Sequence, residues 1–135
     1  MNTCATHMRI LIADDHAAML AQTARLVGEQ HQIVGTVTNG LDLLEATARL
    51  DPDLIVLDIT MPGLDGFEAA RRLKQVGCRS RMVFLTVHED ADYAHEALAL
   101  GADAYVVKSR IASDLMPAIA LALNGHNFIS APAQR

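Results

Sequence analysis

The chain has no tryptophan, and only 4% of its residues are aromatic. Its interior must therefore be built from aliphatic side chains, which the 51% apolar content supplies in quantity. Cysteine is limited to Cys4 and Cys78, with no CxxC spacing. That pattern suits reduced thiols in a cytosolic protein and offers neither a disulfide framework nor a zinc frame. No apolar run approaches the ~20 residues of a membrane-spanning helix. The segment from Met1 to Met8 lacks the apolar core of a signal peptide. The six histidines form no HExxH pair. The net charge of −5 disfavours a domain that grips a nucleic-acid backbone by itself. Among eleven basic residues only Lys74 and Lys108 are lysines, so a lysine placed at the end of a strand asks for a reason.

What the chain does have is a regular alternation of short apolar runs and amphipathic stretches. Arg9 to Ala13 reads as a strand that ends in Asp14-Asp15-His16, and a helix follows over roughly His16 to Gln30, with Leu20, Ala24 and Val27 on one face. Ile33 to Val37 is a second strand. Asn39 caps a helix that turns Leu41, Leu44 and Ala48 inward. Leu54 to Leu57 runs straight into Asp58 and then Pro62-Gly63, a buried strand bounded by turn signals. Asp65 caps a helix reaching about Val76, with Phe67, Ala70 and Leu73 inward. Met82 to Thr86 is a fourth strand, and Asp90 to Leu100 is a helix stopped by Gly101. Ala104 to Val107 is a fifth strand ending at Lys108. Ser113 or Asp114 caps a last helix, with Leu115, Ile119 and Ala122 on one face.

Strands that are apolar throughout are strands covered by helices on both faces. With right-handed crossovers, five of them alternating with five helices give an α/β, doubly wound parallel sheet of order 2-1-3-4-5, the flavodoxin-like arrangement. The expected organisation is a tail over residues 1–8, one domain over 9–126, and a tail or the start of a linker over 127–135. Ligands of such sheets bind beyond the carboxyl ends of the strands.

Four of the strand ends carry polar groups: Asp14 and Asp15, Asp58, Thr86 and Lys108. In a parallel sheet all of them face one crevice. Close carboxylates repel by about 1 kcal/mol per pair in water and by several times that near a protein surface. A hard divalent cation with oxygen ligands relieves this, and open positions for water suit magnesium. Asp15 and Asp58 would be direct ligands, Asp14 a direct or water-mediated one, and a main-chain carbonyl near Thr60 a further oxygen. A carboxylate is a competent nucleophile toward phosphorus. Asp58 has the position for that role, with Lys108 and Thr86 placed to meet phosphoryl oxygens.

The segments carrying these residues, ILIADDH (10–16), LIVLDITMPGLDGFE (54–68), VFLTVHED (83–90) and GADAYVVKS (101–109), resemble the receiver domain of bacterial two-component response regulators. The resemblance spans about residues 8 to 128 and is closest to the subfamily with a C-terminal helix-turn-helix output domain. It implies that Asp58 is the phosphoacceptor for a sensor histidine kinase. It also implies that Asp14, Asp15, Asp58 and the Thr60 carbonyl hold Mg2+, and that Thr86, Lys108 and Tyr105 bind the phosphoryl group or switch with it. Thr60 and His88, two residues beyond Asp58 and Thr86, are expected to tune dephosphorylation. The implied protein is a cytoplasmic signalling domain and not an enzyme in its own right. The face of the fourth helix, fifth strand and fifth helix would control an output, transcription in the first instance. The partners it implies are a homodimer on phosphorylation and DNA only through an output domain that is not in this chain, with no membrane. The alternative is a stand-alone receiver that works by protein contact. Many receivers follow the lysine with a cis proline, whereas Ser109 stands here. A cis bond without proline costs ~3 kcal/mol, so the sequence leaves that geometry open.

Two rivals share parts of the pattern. A phosphatase with an aspartate nucleophile of the haloacid-dehalogenase type needs a second aspartate where Thr60 stands. A flavin carrier of the flavodoxin type needs a hydroxyl-rich phosphate loop where Asp14-Asp15-His16 stands.

Overall fold

A computed structural model describes residues 7–134. The elements, in order, are β1 (Arg9–Ala13), α1 (Ala17–Gly28), β2 (Gln32–Val37), α2 (Gly40–Leu50), β3 (Leu54–Leu57), α3 (Gly66–Gln75), β4 (Arg81–Thr86), α4 (Ala91–Ala99), β5 (Ala104–Val107), α5 (Ile111–Leu123) and β6 (Phe128–Ile129). Short 3-10 turns at Lys108–Arg110 and Ala131–Ala133 complete the description. The sheet is parallel throughout, with order β2-β1-β3-β4-β5-β6. Among the described residues, no helix is long and apolar enough to cross a membrane.

Successive strand residues point to opposite faces, and both faces are covered. Leu11, Ile55, Leu57, Met82, Phe84 and Tyr105 pack with α2, α3 and α4 on one side. Ile10, Ile12, Leu54, Val56, Val83 and Val106 pack with α1 and α5 on the other. Every central strand therefore reads as an unbroken apolar run. β2, at the edge, is only half-buried, which is why it keeps Gln32 and Thr36.

The expected caps are present. The Asn39 side chain accepts from Asp42 N–H, and that of Asp65 from Glu68 N–H. Gly101 sits at φ 101°, the left-handed stop that glycine adopts without a Cβ penalty.

Three expectations are corrected. The buried stripe of α2 is Leu43, Ala46 and Thr47, with Leu44 partly buried, while Leu41 is 59% exposed and Ala48 is exposed as well. A threonine can take an inward position because its hydroxyl donates to the Leu43 carbonyl at 2.7 Å and so carries its own partner. The last helix does not begin at a Ser113 or Asp114 cap. It starts at Ile111, directly out of the 3-10 turn that follows β5. The stretch after residue 126 is not a free tail: Phe128 and Ile129 pair with Ala104 and Tyr105 as a sixth strand. The outer edge of β5 offers unpaired backbone groups, and a two-residue segment is enough to cover them. The expected N-terminal tail falls almost entirely outside the described residues, as does Cys4. Cys78 is a half-buried free thiol.

Candidate functional site

The register places the chemistry. Ala13 lies opposite Leu57, and Thr86 opposite Val107. Asp14, Asp58 and Lys108, each one residue past a strand end, therefore surround the same point at the carboxyl edge of the sheet. Backbone bonds carry the ladder one step further, Asp58 N–H donating to Ala13 O at 3.1 Å and Asp14 N–H to Val37 O at 3.1 Å. These residues are consequently held as firmly as the strands themselves.

Asp14 and Asp58 are buried, while Asp15 is exposed at the rim. One oxygen from each of the three lies within 4.8 Å of the others. At that spacing each pair repels by roughly 3 kcal/mol for an effective dielectric near 20. Part of the repulsion is met by Lys108, whose Nζ donates to Asp58 Oδ2 at 2.8 Å and to Asp14 Oδ2 at 2.9 Å. Burial alone would lower the Lys108 pKa; the hydrogen bonds to Asp58 and Asp14 and the charges of those carboxylates outweigh it and hold the pKa above its ordinary value. The remaining oxygens accept backbone donors, Asp58 Oδ1 from Ile59 N–H at 2.7 Å and Asp14 Oδ1 from His16 N–H at 2.9 Å. With Lys108 counted, the cluster retains two negative charges. An all-oxygen, doubly negative set of this kind fits a hard divalent cation.

The other expected residues line the rim. Thr86 is fully buried and its Oγ1 accepts, at 3.4 Å, from His88 N–H. Tyr105 is fully buried, and its hydroxyl donates to the His88 carbonyl at 2.9 Å. Burial, followed by the nearby charge of Asp58, pushes the phenol pKa well up, so it stays a donor. Thr60 and His88 meet each other, Oγ1 to Nε2, at 3.0 Å across the mouth. The His88 ring also lies edge-on to Tyr93, with centroids 4.9 Å apart. The Lys108–Ser109 bond is trans. Ser109 Oγ donates to Glu89 at 2.8 Å, which ties the loop after β4 to the turn after β5.

Some contributors were not singled out from the residue pattern. Gly66 N–H donates to Ile59 O at 2.7 Å, and a Cβ there would stand 2.0 Å from the Asp58 carbonyl oxygen. The start of α3 thus closes directly over the Asp58 loop, and only glycine leaves the room. The sequence marks Gly66 as a turn residue; nothing local reveals the close approach. The Glu89–Ser109 contact is hidden for the same reason, since it depends on two loops meeting.

The family model described as response regulator receiver domain matches residues 10–120. Among curated relatives, the nitrate/nitrite response regulator protein NarL of Escherichia coli K12 is 34% identical over 123 residues, covering 90% of this chain and 57% of that protein. The transcriptional regulatory protein PdtaR of Mycobacterium tuberculosis is 36% identical over 124 residues, 91% of this chain and 60% of that protein. The chain thus spans a little under two thirds of the curated relatives it matches. A solved structure of a LuxR-family two-component response regulator from an Aurantimonas species superposes with a TM-score of 0.89 at 29% identity, covering 94% of this chain and 92% of that one.

Proposed function

This chain belongs to the response regulator receiver domain family, and from that membership we propose that it takes a phosphoryl group onto Asp58 from a histidine kinase and relays the change to an output. The observation that carries the proposal is the shared ammonium of Lys108, bonded to both Asp14 and Asp58 at the carboxyl edge of the sheet. A lysine held there has no packing task, and its charge is what an incoming phosphoryl group requires.

Asp58 Oδ2 forms the new bond to phosphorus while the bond from phosphorus to the donor imidazole breaks. The leaving imidazole keeps the electron pair and is protonated from solvent. Lys108 then follows the negative charge from the carboxylate to a phosphoryl oxygen, and Thr86 donates to another. Asp14, Asp15 and Asp58, with the Thr60 carbonyl, would hold Mg2+, which when bound neutralises charge on the transferring oxygens. Thr86 and Tyr105 touch the same loop through His88. Drawing the Thr86 hydroxyl inward therefore forfeits its bond to His88 N–H and biases that loop, a population shift driven by the added charge. The name of the transcriptional regulatory protein PdtaR supports transcription as the regulated process.

The test is incubation with acetyl phosphate and Mg2+ followed by intact mass. One added phosphoryl group in the wild type and none in Asp58→Asn supports the proposal. No addition, or addition that survives the substitution, refutes it.

A further inference from the structure

Ser130 is a small polar residue in a stretch that the sequence offers as a tail, yet it is fully buried. A buried hydroxyl must find partners, and this one has two. It donates to Asp114 Oδ2 at 2.7 Å and accepts from Val107 N–H at 3.1 Å. Its own N–H donates to Tyr105 O at 2.9 Å. One residue thus holds both backbone groups on the outer edge of β5 immediately before Lys108. The β6 backbone leaves the ladder at Ser130 and enters the Ala131–Ala133 turn. Its side chain then supplies the bond to Val107 that a third strand residue would have made.

Asp114 braces the arrangement from α5. It is buried, and its carboxylate also accepts from Arg110 Nε at 3.1 Å and from Ser113 Oγ at 2.9 Å. On the other side, Ala133 is fully buried in the same cluster as Tyr105, and Ile129 packs against that cluster. Ile129 and Ala133 therefore pack on the side of the sheet that holds Tyr105, Phe128 on the other, and the segment pins the strand that delivers Lys108.

We propose that Ser130, braced by Asp114, is a positioning residue for the phosphoryl-transfer site, so that the segment 128–133 and Asp58 are coupled through β5. The proposal rests on the reading of Asp58 given above. Coupling is reciprocal: if the segment sets the site, occupancy of the site must be felt in the segment.

Two measurements test it on the full chain. In the first, phosphorylation by acetyl phosphate is followed in the wild type, Ser130→Ala and Asp114→Asn. Ser130→Ala should lower the saturated rate about three- to tenfold at unchanged half-saturating donor. Asp114→Asn keeps an acceptor for the Ser130 hydroxyl and should lose less. In the second, amide exchange across residues 128–134 is compared with and without beryllofluoride, which stands in for the phosphoryl group. The wild type should change its protection there, and Ser130→Ala should not respond. A merely loosened fold would raise exchange in both conditions alike and overturn the proposal. A Ser130→Ala rate equal to that of the wild type overturns the positioning role of Ser130 alone, while a wild type that takes no phosphoryl group overturns the Asp58 reading as well.

Discussion

A methyl group on Gly66 would meet the Asp58 backbone carbonyl oxygen at 2.0 Å, with no flexible side chain there to move aside. Gly66→Ala is therefore expected to cost about 1–3 kcal/mol, the usual range for an overpacked interior, read as a lowered urea midpoint. Lys108 gives a prediction of opposite character. Lys108→Met leaves Asp14 and Asp58 without their cation, so phosphorylation should be lost while Mg2+, measured by titration calorimetry, binds severalfold more tightly. Unchanged or weaker Mg2+ binding would mean that the ammonium and the metal do not answer the same charge. For Thr60 and His88, whose side chains meet at 3.0 Å, exchanging both residues should alter the half-life of the phosphorylated form. An unaltered half-life would leave the pair a surface contact. Asp14, Asp15, Asp58, Thr86 and Lys108 were all legible in the sequence because each closes an apolar run. The Thr60–His88 contact, Gly66 and Ser130 were not, because their roles are made by loops and edges whose approach no local pattern encodes.

At the scale of elements, the strands were legible for a simple reason: burial on both faces turns each into an uninterrupted aliphatic run. Helix faces were less so. In α2 four leucines compete for the core, and the winning stripe includes Thr47, which a hydropathy pattern discounts. The difference is measurable. Leu43→Ala should cost about 2–5 kcal/mol as a cavity in the core, whereas Leu41→Ala, on the exposed side, should stay within about 0.5 kcal/mol. Equal costs would contradict the observed orientation. β6 was illegible because two residues hold no period. It is a strand only in the presence of the β5 edge.

For the molecule as a whole, α2, α3 and α4 on one face and α1 and α5 on the other leave the carboxyl edge of the sheet as the place where buried charge and solvent meet. The opposite edge has its own pH dependence. Nδ1 of the buried His31 accepts from Met8 N–H at 3.1 Å. Burial, and next the charge of His7, lower its pKa. The folded state thus disfavours the imidazolium. Stability from this group is fully present above the unfolded value of about 6.5 and is lost as pH falls below it. Urea denaturation at pH 7.5 and 5.5 should show a loss on acidification that His31→Gln reduces, in a window above the carboxylate range. A pH response identical in the variant would remove His31 from the account.

The carboxylate at the end of β3, Asp58, is proposed to be the phosphoacceptor. Borohydride converts an acyl phosphate to the corresponding alcohol, so reduction of the phosphorylated protein followed by peptide sequencing by mass spectrometry locates the group. Homoserine is expected at position 58, with intact aspartate at positions 14 and 15. Homoserine at position 14 or 15, or a phosphoryl group that resists borohydride on another side chain, would contradict it.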